Sequence, residues 1–264
     1  MQKLQAISQA GVGTLALSLF GLSIGATTAM ASSLPPSTAL PVRFIHSVDT
    51  KSARPGDAVT ATTLQVVLLP GGGNLPKGTL LLGHVVSASP FQFDATPYAH
   101  QQPSRLAIHF DRVLNGTQAL PVTVSVRALA NTIDSGEAAT PHFTDETDRP
   151  GTMILIGGDS FSPLDKMIQT RDGDVIGYNR RQGVFARLIA SGYTTPEGPT
   201  RCSATNTEQS VAIFSPSACG VYGFDGVSMP ETGQDGSGTF TLAERGHSVK
   251  LYEGSTALLQ VLGE

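Results

Sequence analysis

The chain has 264 residues, with 17 basic against 21 acidic side chains and no basic run, a balance that disfavours nucleic-acid binding. Its 29 glycines, 17 prolines, lack of tryptophan and 14% charged residues describe a loop-rich and strand-rich chain. Its length suits one large β-domain or two small ones once the N-terminal segment is set aside.

Residues 1–31 read as a secretory signal. One basic residue, Lys3, precedes an uncharged stretch from Ala10 that carries Leu15, Leu17, Leu19, Phe20, Leu22 and Ile24, and Ala29-Met30-Ala31 supplies an A-x-A cleavage site. The alternative is retention as an uncleaved inner-membrane anchor, against which the Gly, Ser and Thr content weighs. No cysteine lies near the site, which argues against a lipoprotein anchor. The expected location is the periplasm or the extracellular space, with membrane contact only if the segment is retained.

Residues 32–41, with three prolines among Ser, Thr and Ala, read as a short linker, and the fold is expected to start near Val42. A first β-rich half covers 42–131. Pro55-Gly56-Asp57 reads as a turn, after which Val59, Ala61 and Thr63 alternate with Thr60, Thr62 and Leu64 as a half-buried strand requires. Gly71-Gly72-Gly73-Asn74 breaks that run. A second turn follows, since Pro76 fixes φ and Gly78 tolerates φ > 0. It launches Leu80 to Val86, an apolar run read as a buried strand, with Gly83 grouped among the structural turn positions. Pro90 to Gln102 reads as a polar and aromatic loop. Leu106, Ile108 and Phe110 then face one way, Asn115-Gly116 suits a type I′ turn, and Val122, Val124 and Val126 alternate with Thr123, Ser125 and Arg127, which together predict a β-hairpin.

Residues 132–151 are polar and aperiodic and read as a loop or linker to a second β-rich half, 152–264, with one barrel completed by both halves and two separate lobes as the alternatives. There Met153 to Ile156 is apolar, Ser162-Pro163-Leu164-Asp165 carries a helix-start signature that predicts a short helix to Gln169, and Phe185 to Ala190 is a weaker helix candidate. Val211 to Phe214, Gly238 to Ala243, Val249 to Tyr252 and Ala257 to Leu262 read as strands, the last so apolar that it must be buried on both faces or lie centrally in a sheet. The fold class is therefore all-β, a barrel or sandwich with one or two short helices. Cys202 and Cys219, the only cysteines, are expected to be bridged in an oxidising compartment. The rival reading is two buried thiols or half of a metal site, which no C-x-x-C or nearby His pair supports.

The order GDAVTA (56–61), LPKGTLLLGHV (75–85) and FDRV (110–113) resembles the β-domain of the TrbI-like scaffold family of bacterial type IV secretion. In that family a Pro-x-Gly turn introduces a Leu-x-Gly strand of a barrel that assembles into an envelope ring. The stretch from Leu40 to Ala130 is similar also to a group of bacterial exported proteins with a Lys-Ala-x-Pro-Gly-Asp motif, matched here by Lys51 to Asp57. The resemblance implies a β-barrel and an envelope location. A long proline-rich stalk and an amphipathic helical excursion, which a secretion scaffold needs, are not evident in this sequence.

No residue is assigned a catalytic, cofactor-binding or metal-binding role, and no cofactor is expected. Gly158-Asp159-Ser160-Phe161-Ser162 departs from a nucleophile elbow at its last position and reads as a polar turn. His142 with Asp145, Glu146 and Asp148, and Arg171-Asp172-Gly173-Asp174, read as a solvated acidic loop and a turn rather than cation sites. His84 and His109 lie on predicted strands and read as partly exposed strand histidines, His109 sharing a polar outer face with Asp111; the alternative is a pair facing each other across a sheet as a metal site or pH switch. Phe91, Phe93 and Tyr98 are candidates for a binding lip. The expected function is that of an exported, non-enzymatic envelope protein, structural or binding an envelope protein or polymer by strand addition, with oligomerisation open. The alternatives are an exported hydrolase of envelope polymers using Asp159, Ser160 or His142, and a ring-forming secretion component.

Overall fold

The computed structural model describes residues 33–141, 151–169 and 173–263, so the signal-like segment and the His142 to Asp148 cluster lie outside the described residues. Ten strands build the main sheet: β1 (Ala39–Phe44), β2 (Ala58–Thr63), β3 (Leu80–Ser89), β4 (Ser104–Asn115), β5 (Gln118–Pro121), β6 (Val124–Ala130), β7 (Gly220–Tyr222), β8 (Ser228–Glu231), β9 (Thr239–Glu244) and β10 (Thr256–Val261). Nine of them follow one path, β7-β6-β10-β1-β2-β3-β4-β9-β8, and β5 folds back on β4. The path curls into a nearly closed barrel. Its two ends meet around β6, which takes β7 in parallel alongside Ala128 to Ala130 and, further back, donates from the Val126 amide to the Thr232 carbonyl at 2.8 Å. Both β-rich halves of the sequence therefore contribute strands to a single sheet, and Ala31–Glu264 forms one compact unit.

Alternation sets which side chains enter the barrel. On β2, Val59, Ala61 and Thr63 are buried and the residues between them are not, as their spacing predicts. On β3 the same rule overrides hydrophobicity: Leu81, Gly83 and Val85 are buried, whereas Leu80 and Leu82 are half-buried and Val86 is exposed. The apolar run is thus buried on one face only. Phe44, Phe110 and Phe240 fill the interior, with ring centroids 6.0 Å apart for Phe44 and Phe110 and 6.5 Å for Phe110 and Phe240.

The outer face of β6, β10 and β1 is covered too. Residues 151–219 form an excursion whose four-stranded sheet, Met167–Gln169, Val175–Arg180, Gly183–Arg187 and Glu208–Ser210, supplies Ile168, Val184 and Ala186 to a second core against Ala39, Ala128, Ala130 and Leu258. That is why β6 and β10 are buried at every position, as the apolarity of the last strand required. Gln65 fastens the two layers by acting as a strand surrogate: its Nε2 donates to the Val184 carbonyl at 2.7 Å and its Oε1 accepts from the Val184 amide at 2.8 Å. Gln209 adds a contact from the other side, its Oε1 accepting from the Ala39 amide at 2.9 Å.

Several local expectations are corrected. The linker 32–41 is packed, because Leu34, Thr38, Ala39 and Leu40 are buried and β1 already starts at Ala39. Asn131 caps a helix, α1 (Thr132–Ala138), inside the segment read as a loop, its side chain accepting from the Asp134 amide at 2.7 Å. Ser162 does bond forward, to the Leu164 amide at 3.3 Å, but the chain turns there and continues as the strand Met167–Gln169. Ile168 is buried between exposed Met167 and Gln169, a period of two that no helix satisfies. Phe185 likewise sits in a strand rather than a helix. Val211 to Phe214 is a turn after the strand Glu208–Ser210, with Ala212 at φ 51°. The hairpin expected between the Leu106 and Val124 strands is not formed: β4 folds back on β5, joining Asn115 to Gln118 through Gly116-Thr117, while the strand with Val124 and Val126 pairs with β10 and β7. Only Gly116 has positive φ, so the loop has the II′ rather than the I′ signature.

Gly56 and Gly78 have φ of 91° and 83°, in keeping with the turns assigned around Pro55-Asp57 and Pro76. Gly83 is not in a turn. It lies inside β3 beside a register shift between Leu82 and Gly83, where a Cβ would come within 2.2 Å of the His109 carbonyl oxygen. Gly83→Ala is expected to destabilise the protein by about 1–3 kcal/mol, read as a lower urea midpoint; an unchanged midpoint would show that this close approach is not a constraint.

Candidate functional site

The most unusual side chain of the molecule is Arg127, which occupies an outward position on β6 and is only 1% exposed. The excursion folds over it. Its Nε donates to the Ala218 carbonyl at 3.0 Å, Nη1 to the Ser203 carbonyl, and Nη2 to the carbonyls of Pro216, at 3.1 Å, and Ile189. No carboxylate is among these partners. Burial lowers its pKa to about 10, partly opposed by the Tyr222 phenol, so the group stays protonated at neutral pH. Four carbonyl dipoles therefore hold a cation that desolvation would otherwise penalise.

The Cys202–Cys219 disulfide closes this cage, as expected of the pair. Ser203, Pro216 and Ala218 all lie within the 17-residue separation of the bridge, and the two cysteines leave no free thiol in the chain. A loop of that length contributes about 3 kcal/mol in the chain-entropy account. Such a bridge is compatible with an oxidising compartment outside the cytosol. Among the described residues no helix is long and apolar enough to cross a membrane.

A groove of about 1220 Å³ opens at one end of the barrel. Phe44 and Ile45 at the end of β1, the helix α1, the turn Gly223 to Val227 and the segment Lys250 to Gly254 line it. The helix is pinned by the Asn131 side-chain amide to the Gly223 carbonyl, by Thr132 Oγ1 to the Glu253 carbonyl at 3.0 Å, and by Ser135 to Thr256 at 2.8 Å between hydroxyls. Pinned this way it turns Ile133 outward, 69% exposed, facing the same groove as Tyr252, 51% exposed, and half-buried Phe224 and Val227. Lys250 Nζ lies 4.8 Å from the Tyr252 ring centroid. Glu244, nearly buried at the edge, holds His247 Nδ1 at 3.0 Å.

The residues singled out for chemistry do not converge. Ser160 is exposed in the short hairpin Met153–Ile154 and Ser160–Phe161, and the Asp159 carboxylate is taken by the Ser215 hydroxyl. The tight turn Gly157-Gly158, with φ of 107° and 103°, joins strand to strand, so the strand-turn-helix of a nucleophile elbow is absent there. Phe93 and Tyr98 are exposed on the loop after β3 while the Phe91 amide is tied to Ser248 at 3.1 Å, and none of the three lines the groove. His84 and His109 do face each other, directly opposed on β3 and β4 with ring centroids 5.7 Å apart, and Asp111 shares their outer face. The Asp111 oxygens lie 3.0 Å from His84 Nδ1 and 4.0 Å from His109 Nε2. Among the described residues no group of three His, Cys, Asp or Glu side chains could hold a metal ion.

Arg127 carried no signal as a site in the sequence, where it simply continued an alternating strand. The groove was equally hidden, since its walls come from segments as far apart as Phe44 and Glu253. Arg127→Met removes the guanidinium donors from the four carbonyls, of which only that of Pro216 keeps another donor among the described residues, the Ile189 amide at 3.0 Å, and is expected to destabilise by about 3 kcal/mol or more; Arg127→Lys restores only part of this because an ammonium cannot span the cage. In a urea-denaturation double-mutant cycle with Cys202→Ser/Cys219→Ser the losses are expected to be non-additive; simple additivity would separate the bridge from the cation. No family model matches the chain, and no curated protein and no solved structure matches it.

Proposed function

We propose that the chain is an exported, non-enzymatic cell-envelope protein that binds an apolar segment of another envelope protein in the groove at the barrel end. The observation that carries this reading is the groove itself. Exposed Ile133 and Tyr252 line one concavity beside Phe224 and Val227, which are half-buried against the barrel core, and exposed apolar side chains that cluster in a concavity mark interaction sites. Its volume of about 1220 Å³ exceeds the about 300–1,000 Å³ usual for small-molecule pockets, which favours a polypeptide occupant.

One further feature supports the reading. The disulfide suits an oxidising compartment, in line with the signal-like first 31 residues and the resemblance of residues 40–130 to exported β-domains. Strand addition finds little support, because the path ends in β7 and β8, three and four residues long.

A photo-crosslinking residue placed at Ile133 in intact cells is expected to give a discrete adduct with one envelope protein, weakened by Tyr252→Ala. The same residue at Thr117, on the hairpin tip, is expected to give none. Recovery of the uncrosslinked monomer alone from Ile133 would remove the basis for this function.

A further inference from the structure

We propose that a second, polar cleft, between the excursion and the barrel wall, binds the free C-terminal end of a short peptide. The cleft has a volume of about 570 Å³, within the about 300–1,000 Å³ usual for small-ligand sites, and shares no residue with the groove. Ser125 and Gln260 line it from the barrel, a directly opposed pair on β6 and β10 just past the register shift that leaves Arg127 without a partner residue. Ser125 is 1% exposed and Gln260 8%. Among the described residues neither side chain has a hydrogen-bond partner. Buried amides are normally paired, and Gln260 interrupts the apolar run Ala257 to Leu262, where a leucine would serve the fold better.

The same molecule shows what a glutamine in this seam complements. Gln65 brackets the N–H and C=O of Val184, and Gln209 accepts from the Ala39 amide. Gln260 pairs with Ala39 through the backbone and offers the cleft the same donor and acceptor, which match one peptide group. Charge supplies the second element. Arg201 is exposed on the wall made by the hairpin Ser191–Thr195 and Gly198–Cys202, and it has no ion pair among the described residues. No carboxylate lines the cleft, and Asp235, next to Gln234 on its rim, is taken by the Ser237 amide at 3.1 Å and hydroxyl at 2.7 Å. The cleft thus favours an anion, and a guanidinium holds a carboxylate through two parallel hydrogen bonds. No aromatic side chain lines the cleft, which leaves a sugar ring no surface to stack on. The Arg201 wall is fixed before any ligand arrives, because Cys202 is bridged to Cys219 and the Ser203 carbonyl is held by Arg127.

Titration of N-acetyl-Ala-Ala, which ends in a free carboxylate, into the purified protein tests the site by NMR. The expected result is saturable shifts of the Gln260 side-chain amide and the Arg201 Nε–H. Affinity is expected to fall roughly tenfold or more for the C-terminal amide of the same peptide or with Arg201→Gln, and to be unchanged by Arg112→Gln on β4. Gln260→Leu is expected to weaken binding to a similar degree while leaving the urea midpoint unchanged or higher, since an apolar side chain replaces an unpartnered amide. Arg201→Gln, at an exposed position, keeps the test decisive if the leucine variant fails to fold. Absence of saturable shifts, equal binding of the acid and amide forms, tighter binding of glucuronate than of the peptide, or binding undiminished in both variants would overturn the proposal.

Discussion

The fold depends on how one buried cation is satisfied. Arg127 stands where β6 needs an apolar side chain, on the face that packs against the excursion, and its positive charge has no carboxylate beside it. Four backbone carbonyls take its protons instead, three of them from the loop that the disulfide closes. Carbonyls of an irregular loop have no ladder to satisfy them, and an arginine has more donors than one strand can use. Each solves the other's problem. The excursion is thereby held on the barrel by a polar hub as well as by its apolar face, and a hub of fixed geometry specifies one docking arrangement where apolar contact alone would permit several.

The barrel itself was largely legible in the sequence. Alternation in β2 and in β4 follows from the two-residue repeat of a pleated chain, the unbroken apolarity of β10 from burial on both faces, and the turns at Gly56, Gly78 and Gly116 from positive φ. What misled was local chemistry read without its tertiary setting. Ser162-Pro163 offers the start of a helix, yet the next residues answer to the neighbouring strand Val175–Arg180, which pairs with Met167 to Gln169. The helix that Asn131 caps lies in a stretch read as a loop, because Gly136 and the absence of an apolar stripe conceal a helix of under two turns. Leu80 to Val86 looked uniformly buried because hydrophobicity alone does not say that only one face is covered.

The candidate sites were less legible for a different reason. A groove and a carbonyl cage are made by distance in space, and neither leaves a spacing in the chain. Arg127 is separated from its acceptors by 62 to 91 residues, and nothing in a Val-Arg-Ala stretch distinguishes a caged guanidinium from a solvated one. The histidine pair is the exception. Two adjacent strands joined in sequence order, with a recognisable alternation on each, were enough to offer His84 opposite His109 as one of two readings.

The sheet is completed by its extremes. β1, which begins at Ala39, has β10, which ends at Val261, as one of its two neighbours, and β6 takes β10 on the other side. Until residues 256–261 have left the ribosome, the central seam has no strand to fill it, so the barrel cannot close before β10 has been made. Contacts so remote along the chain make for slow closure. The wall of the barrel thus stays open along β1 and β6 for as long as β10 is missing, however early the other strands have paired.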